Sequence, residues 1–313
     1  MVTTGSNWPV TAVVVTYQSA ATLGPALAAL RRSYDQGLLR CVVVDNASQD
    51  ETPSLLARES DWAKIVIETI NHGFGRGCNV GFAHVQTPYT LLVNPDAVVE
   101  PDAIRTMVAF LEENPHVGIV GPATKVGQPG REHYQHAGTR PGPLSVLQQQ
   151  IGRFAPADLR PITPGCDAFR TGWVCGAVLM IRTDLMRQLG GFDPAFFLYY
   201  EEMDLSAGVE GLGYETWAVG AAMAHHIGGA SSTEDDGRIH GCIASHYYES
   251  RRYYLIKHHG WLLATGAELA EAGLLLLLTG IDLLRGRGLR RLRPRLQGGW
   301  FRVPRPGREF QVE

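Results

Sequence analysis

Short runs rich in valine and isoleucine alternate with helical patterns through the first 125 residues of the chain. Continuous apolar strands separated by amphipathic helices are typical of a parallel sheet that is covered on both faces. The chain is therefore predicted to begin with a doubly wound α/β half. The predicted strands span residues 10–17, 40–46, 63–69, 89–95 and 117–123, and the predicted helices span 21–34, 51–60, 77–86 and 101–113.

The pattern loosens in residues 124–170, which are rich in glycine, proline and polar residues and predict an irregular insertion. Order returns with a predicted strand over 172–182 and a short helix that ends at glycine. An aromatic stretch, a further helix and a further strand follow. The predicted organisation is one α/β domain over 1–258, with halves 1–123 and 124–258, and a helical, basic appendage over 259–313.

Charge and cysteine content narrow the class of protein. A formal net charge of −3 gives no support for general nucleic-acid binding. The five cysteines are scattered, and no close-spaced pair indicates zinc, so reduced thiols are expected. The first ten residues lack the basic region and apolar core of a signal peptide. We therefore expect a cytoplasmic protein that does not bind nucleic acid.

The carboxyl-terminal appendage combines a leucine-rich stretch with an arginine cluster at 285–296. Glu268, Glu271 and Asp282 interrupt the leucine-rich stretch, so one or two amphipathic helices are predicted in place of a membrane span. Such a segment can lie on the anionic inner face of the plasma membrane as a peripheral contact. It can equally pack on its own domain or in a homodimer, and the sequence leaves these alternatives open.

Several well-known motifs are absent from the sequence. The glycine-rich stretch 71–82 fails the dinucleotide-binding spacing, because the third glycine would fall at Cys78 or Val80. No lysine precedes a serine or threonine, so there is no P-loop. Neither a His-Glu-x-x-His helix nor a Gly-x-Ser-x-Gly elbow occurs. These absences argue against hydride transfer, P-loop hydrolysis, zinc proteolysis and α/β-hydrolase chemistry.

Polar residues follow several of the predicted strands directly. Residues 42–52, VVVDNASQDET, run from an apolar strand into a polar cluster that begins at Asp45. Such residues favour turns and helix caps, but the carboxyl end of a parallel strand is also where open α/β sheets bind nucleotides. The stretch alone fits both, and the turn is the simpler interpretation. Comparable positions are held by Asp96, by Glu201, Glu202 and Asp204 at a helix start, and by His225 and His226 at a strand end.

Seven segments between residues 10 and 231 form an ordered set. They are VVVTYQSA, VVVDNASQDET, NHGFGRGCNVGF, LLVNPDAVV, GWVCGAVLMIR, GGFDPAFFLYYEEMDL and HHIGGAS. Each segment alone is weak evidence, whereas the set in this order is specific. It resembles the inverting family 2 glycosyltransferases with the GT-A fold, and in particular their rhamnosyltransferase-like branch. The resemblance implies a GT-A fold of the α/β class: a mostly parallel sheet flanked by helices, with a helical appendage at the carboxyl terminus.

The resemblance places the donor nucleotide at the ends of the first two strands. Thr16 and Tyr17 would border the base, and Asp45 would accept a hydrogen bond from the imide N–H of uracil or thymine, since a carboxylate only accepts. Arg76 would contact phosphate or sugar, although a solvent-facing arginine is an equally simple interpretation. The wall near the ribose and diphosphate would comprise Asn71, Gly73, Arg76 and Asn79.

A divalent metal is implied at Asn94-Pro95-Asp96, where the family carries an Asp-x-Asp motif. Asn94 departs from that motif, which leaves Asp96 as the charged ligand, and His226 matches the family's metal-binding histidine. Oxygen ligands favour Mg²⁺ or Mn²⁺, and a histidine shifts the preference towards Mn²⁺. The alternative is that His226 is structural.

The segment YYEEMDL matches the family's acidic helix start, whose second acidic residue acts as general base. That role falls on Glu202, with Glu201 as the fallback, and the sequence departs from the usual aspartate by one methylene. The alternative is an acidic first turn favoured by the helix dipole. On the acceptor side the resemblance implies Trp173, Gly176, Asp204 and Arg252, where Trp173 equally fits the core and Arg252 equally fits a solvated helix face.

The expected activity is an inverting, metal-dependent sugar transfer from a pyrimidine nucleotide sugar to a glycan or polyprenyl-linked acceptor in cell-envelope polysaccharide synthesis. dTDP-L-rhamnose is the first expectation for the donor, and UDP-sugars come next. Because Asn94 and Glu202 depart from the family pattern, a catalytically silent sugar-nucleotide-binding module is the alternative. A membrane-tethered scaffold whose tail is the functional part is the third hypothesis.

Overall fold

A computed structural model describes residues 8–127, 130, 132–151, 159–227, 241–289 and 291–304, and the structural statements below concern these residues. The amino-terminal half alternates strands and helices as predicted. Because valine and isoleucine fit a sheet buried on both faces, strands β1 and β2 are buried almost throughout. The elements are β1 (Val10–Thr16), α1 (Leu23–Asp35), β2 (Leu39–Asp45), α2 (Thr52–Ala57), β3 (Ala63–Ile67), α3 (Phe74–Phe82), β4 (Tyr89–Val93), β5 (Ala97–Val99), α4 (Pro101–Glu113) and β6 (Val117–Val126).

The remaining elements before the carboxyl-terminal helices range from two to twelve residues in length. The described part of the predicted irregular insertion contains three two-residue strands and one helix. These elements are β7 (His133–Tyr134), β8 (His136–Ala137), α5 (Pro143–Ile151), β9 (Arg160–Pro161), β10 (Phe169–Thr171), β11 (Val178–Arg182), α6 (Thr183–Leu189), α7 (Glu201–Gly211), β12 (Glu215–His226), α8 (Gly241–His259), α9 (Trp261–Leu284) and α10 (Arg293–Gly298).

A ten-stranded mixed sheet forms the centre of the molecule, in the order β10-β12-β6-β11-β4-β1-β2-β3, with β5 on β12 and β7 on β6. Strands β3, β2, β1 and β4 are parallel, whereas β11 runs antiparallel between β4 and β6. One apolar core covers each face of the sheet. The prediction of a mostly parallel sheet between helices is confirmed, and the carboxyl ends of β1, β2, β4, β6 and β12 share one edge.

The predicted strand over 172–182 is wrong in its first half, because β11 begins only at Val178. Val174 lies across Gly121 of β6, where a Cβ on the glycine would come within 2.6 Å of the valine Cβ. The segment therefore crosses the face of the sheet before it joins the sheet. Only tertiary packing distinguishes this buried crossing from a strand.

A third apolar cluster joins the carboxyl-terminal helices to the rest of the chain. It contains Val146 of α5, Phe196 and Tyr200 before α7, Leu255 of α8 and Ala264 of α9. The cluster includes residues on both sides of position 258, so α8 and α9 pack as one helical layer. The predicted helical appendage is thus present, and its division from the domain at residue 258 stays a prediction.

Candidate active site

The carboxyl ends of the first two strands bring the predicted donor residues together. Thr16 lies opposite Asp45 in the parallel ladder of β1 and β2, and its hydroxyl donates to Asp45 Oδ1 at 2.9 Å. Both side chains are buried, and Tyr17 beside them is half-buried. These three residues line the predicted position of the base.

Asp45 also organises the turn that follows β2. Ser48 donates its hydroxyl to Oδ1 at 2.6 Å and its backbone N–H to Oδ2 at 3.1 Å. Asp50 accepts from the N–H of Thr52 at 3.0 Å, at the start of α2. The turn interpretation of residues 42–52 is therefore visible in the structure, and nucleotide recognition by Asp45 stays a prediction.

The glycine-rich segment approaches the site closely at Gly73. Its φ of 79° favours glycine, and a Cβ there would lie 2.2 Å from the carbonyl oxygen of Phe197. Asn71 accepts from the Gly73 N–H at 2.9 Å, and Asn46 donates to the Gly73 carbonyl at 2.9 Å. The position is thus tied to the end of β2 and to the segment before α7.

Two of the predicted donor residues instead hold helix α3 to the loop that precedes α7. Asn79 donates to the carbonyl of Phe192 at 2.8 Å and accepts from its N–H at 2.8 Å. Arg76 donates to the carbonyl of Pro194 at 2.7 Å. Both side chains therefore make structural contacts in this state, and their roles toward ribose or phosphate stay predictions.

Asp96 and His226 meet although 130 positions separate them in the chain. Pairing of β5 with β12 sets His226 opposite Ala97, and the N–H of Ile227 donates to the Asp96 carbonyl at 3.0 Å. His226 Nε2 consequently lies 2.9 Å from Asp96 Oδ1, with both side chains largely buried. Asn94 is half-buried in the same turn, and its carbonyl accepts from the Ala97 N–H at 3.0 Å.

The chemistry of this pair fits a divalent cation. A carboxylate oxygen and an imidazole nitrogen side by side are a donor set suited to Mn²⁺, and such ions usually complete their shell with water and substrate phosphates. The buried Nδ1 of His226 has no hydrogen-bond partner within the described residues. Asp96 and His226 would hold the ion. No group of three or more His, Cys, Asp and Glu side chains in the described parts of the chain forms a metal cluster by itself.

The acidic start of α7 sets two glutamates in different surroundings. Glu202 lies beside Gly176, where a Cβ on the glycine would be 3.7 Å from Glu202 Cβ. The backbone at this point is close to the turn that contains Asn94 and Asp96, because the Asn94 N–H donates to the Ala177 carbonyl at 2.8 Å. Burial raises the pKa of Glu202 to about 7, so this carboxyl can exchange a proton near neutral pH.

Glu201 points instead towards helix α3. Its Cγ would lie 3.3 Å from a Cβ on Gly75, and its Oε1 has no hydrogen-bond partner within the described residues. Burial, with a smaller contribution from the charge of Glu202, raises the pKa of Glu201 well above its ordinary value. Burial thus favours the neutral form of the Glu201 carboxyl, and its side chain points towards α3, which makes Glu202 the better candidate for the base.

The backbone before α7 adopts conformations that the sequence does not reveal. Tyr199 and Tyr200 have φ values of 72° and 73°, which are uncommon for residues other than glycine and cluster at functional sites. The N–H of Phe74 donates to the Phe197 carbonyl at 2.9 Å, which fixes this segment against α3. Gly73, which permits the close approach, is the sequence signal that could have pointed to this junction.

The predicted acceptor residues are only partly brought to the site. Gly176 faces Glu202, as described above, and Trp173 lies nearby with its indole N–H donating to the Thr139 carbonyl at 3.2 Å. Asp204 accepts from Lys257 at 2.9 Å and from His258 at 2.7 Å, which holds α7 against α8. Their contacts with an acceptor stay predictions.

Arg252 is buried between two helices. It donates to Glu268 at 2.7 Å and to Thr265 at 3.2 Å, both on α9, and so joins α8 to α9. The alternative of a solvated helix face is wrong, because the acidic residues of α9 turn inward to meet Arg252. These contacts leave the predicted substrate contact of Arg252 untested.

Comparison with known proteins supports the family. The profile described as Glycosyl transferase family 2 matches residues 11–175. The N-acetylglucosaminyl-diphospho-decaprenol L-rhamnosyltransferase of Mycobacterium tuberculosis is 25% identical over 272 residues, which are 80% of this chain and 85% of that protein. The low-salt glycan biosynthesis hexosyltransferase Agl10 of Haloferax volcanii is 26% identical over 176 residues, 54% of this chain and 52% of that protein.

Solved structures share the fold. The mannosyltransferase PcManGT from Pyrobaculum calidifontis, solved with GDP-Man and Mn²⁺, has a TM-score of 0.55 at 17% identity and is matched over 93% of this chain and 87% of that one. GalNAc-T7, solved with UDP, GalNAc and Mn²⁺, has a TM-score of 0.55 at 14% identity. The match covers 78% of this chain and about half (47%) of GalNAc-T7. Together with the profile match, they establish that the chain is a glycosyltransferase of family 2 with the GT-A fold.

Proposed function

We propose that the protein is an inverting, metal-dependent transferase that moves L-rhamnose from dTDP-rhamnose to a glycan or polyprenyl-linked acceptor in cell-envelope polysaccharide synthesis. The observation that carries the proposal is the contact of Asp96 with His226 beside the Asn94–Ala177 hydrogen bond. In the proposed site Asp96 and His226 hold the metal. Glu202, whose pKa burial raises to about 7, lies beside Gly176, the neighbour of the Ala177 that the Asn94 N–H contacts. Similarity to a rhamnosyltransferase over most of the chain supports the choice of sugar.

In this reaction Glu202 takes the proton of the acceptor hydroxyl. The acceptor oxygen then forms a bond to the anomeric carbon, while the bond between that carbon and the nucleoside diphosphate breaks on the opposite face. One displacement of this kind inverts the anomeric configuration. A Mn²⁺ or Mg²⁺ ion held by Asp96 and His226 would neutralise the charge that develops on the departing diphosphate.

The experiment is sugar transfer from dTDP-rhamnose to a soluble lipid-diphosphate acceptor analogue, with Mn²⁺ and with a chelator. We expect transfer with Mn²⁺, loss of transfer with chelator, and a product of inverted configuration by NMR. A UDP-sugar, carrying galactose, N-acetylglucosamine or glucose, is the alternative donor. Calorimetric titration of dTDP-rhamnose against these UDP-sugars distinguishes them, and tighter binding of a UDP-sugar would reject rhamnose as the sugar.

A catalytically silent module that binds sugar nucleotides is the second candidate, favoured by Asn94 and Glu202, which depart from the family pattern. Donor binding without either transfer or donor hydrolysis would identify it. We further propose a cytoplasmic protein in peripheral contact with the inner face of the plasma membrane, where a lipid-linked acceptor would be reached. A homodimer through the carboxyl-terminal helices is the competing arrangement.

A further inference from the structure

Helix α9 has its polarity reversed relative to a helix of a soluble domain. Its polar side chains turn inward: Glu268, Glu271, Thr279 and Asp282 are buried, and Thr265 is half-buried. An amphipathic helix packed on a soluble core has the opposite arrangement. The exposed residues of α9 are apolar or glycine throughout: Trp261, Leu262, Leu263, Gly266, Leu269, Ala270, Gly273, Leu276, Leu277, Gly280, Ile281, Leu283 and Leu284.

Buried ion pairs fix this orientation. Glu268 accepts from Arg252 and from Arg295, each at 2.7 Å, and Glu271 accepts two hydrogen bonds from Arg251. Rotating the helix to bury its exposed leucines would leave these buried arginines unpaired, which is costly. The outward apolar face is therefore a fixed property of the folded protein.

We propose that the outward face of α9 docks on an anionic lipid surface, with the helix lying in the plane of that surface. This inference identifies the surface that makes the peripheral membrane contact of the proposed function. It rests on the proposed function only for the identity of the acceptor. This face runs the length of a 24-residue helix, about 36 Å, and far exceeds the scattered apolar residues usual on a soluble surface.

Charge next to this face matches an anionic surface. Within the described part of 260–304, the carboxylates are those of Glu268, Glu271 and Asp282, and all three are buried. Every exposed charged side chain in this described part of 260–304 is an arginine. Arginine near a membrane is attracted to acidic headgroups. These arginines are Arg285, Arg287, Arg293 and Arg302.

The inward face of α9 argues for an in-plane helix over one that crosses the bilayer. By length and composition α9 is the one helix of the described residues that could cross a membrane. Glu268 and Glu271, however, are paired with arginines of α8, which also carries Lys257, His258 and His259. A crossing α9 would bring this charged helix into hydrocarbon, which is expensive. An in-plane helix buries only its leucines.

Docking through α9 would also orient the active site. Helix α8 connects the two, because Ser250 donates to the Leu198 carbonyl at 2.9 Å, just before the helix that carries Glu202, while Arg252 binds α9. The surface that faces lipid and the start of α7 are thus joined by one helix. An acceptor anchored in the same lipid layer would need to reach only across this helix.

The test is flotation of the full chain with vesicles of phosphatidylcholine alone or mixed with phosphatidylglycerol. We expect most of the protein to float with the anionic vesicles, and a variant with Leu269→Ser, Leu276→Ser and Leu277→Ser to bind at least tenfold less. Leu144→Ser, on α5, is the matched control, since Leu144 is 73% exposed outside the proposed face. A variant with Arg285→Ser, Arg287→Ser and Arg293→Ser should lose the preference for anionic vesicles.

Four results would overturn the inference. The first is a wild-type protein that does not float, and the second is a triple leucine variant that floats as well as the wild type. A wild-type dimer that the leucine variant converts to a monomer, without flotation, would assign the face to a second copy of the chain. Resistance of bound protein to alkaline carbonate would show a crossing helix. Transfer to the soluble acceptor analogue is measured in parallel, because loss of flotation with transfer intact rejects only the docking, and the converse rejects only the proposed function.

Discussion

His226 Nε2 lies 2.9 Å from Asp96 Oδ1 at the junction of β5 and β12. If this pair holds the metal, His226→Ala removes one of two protein ligands and should weaken Mn²⁺ binding at least tenfold, as measured by calorimetry in the presence of nucleoside diphosphate. His225→Ala is the control, because adjacent residues of a strand point to opposite faces. Equal weakening by both variants would contradict the assignment of the ligand.

The proton acceptor sets the dependence of the reaction on pH. Burial raises the pKa of Glu202 to about 7, and a general base acts only when it is deprotonated. We therefore expect kcat to rise with pH through about 7 and then to level off. The measurement is kcat at saturating donor and acceptor between pH 5.5 and 8.5, about one and a half units on each side of that pKa. A rate that falls as pH rises through 7 would exclude a deprotonated Glu202 as base.

Gly73 is required by both its backbone angle and its surroundings. Gly73→Ala would force a Cβ to 2.2 Å from the Phe197 carbonyl oxygen at a φ of 79°, so a loss of more than about 2 kcal/mol of unfolding free energy is expected. Gly37→Ala is the control, because Gly37 has a φ of 70° with no atom near its Cβ position. It should cost only about 1 kcal/mol. The measurement is urea unfolding of both variants. Equal losses of unfolding free energy would show that the contact with Phe197 is not tight.

Arg252 is expected to matter for folding and not for the donor. Arg252→Ala leaves Glu268 with Arg295 as its remaining partner, and should cost about 3 kcal/mol of unfolding free energy because both charges are buried. Arg32→Ala breaks an exposed pair with Glu100 and should leave the free energy of unfolding almost unchanged. Donor affinity, measured at a temperature where the variant is folded, should equal that of the wild type. A large loss of donor affinity in Arg252→Ala would instead show that Arg252 contributes to substrate binding.

The strands and helices of the amino-terminal half were predictable because their signal is local. Continuous valine and isoleucine runs such as 42–44 can be read without knowing what packs on them. The crossing at Val174 has the same local pattern, and only the groove above Gly121 decides that it does not pair as a strand there. The local sequence pattern therefore cannot distinguish a buried strand that pairs in the sheet from a buried extended segment that crosses it.

For the site, similarity to a family supplied what local pattern could not. Nothing in the residues near Asp96 points to His226, since the sheet order alone brings them together. The burial of Arg252 was not predictable, because α9 looks like an ordinary amphipathic helix in sequence. Which face turns inward was decided by the buried arginines of α8 and α10, at positions that the sequence treats as surface.

The central claim is that Glu202 is the base of a metal-dependent sugar transfer. Its most direct test is the rate of transfer by Glu202→Gln at saturating donor and Mn²⁺, with Glu201→Gln measured beside it. We expect Glu202→Gln to transfer at least 100-fold more slowly while binding donor as the wild type does, and Glu201→Gln to keep most of the rate. Full transfer by Glu202→Gln, with loss of transfer in Glu201→Gln, would contradict the account.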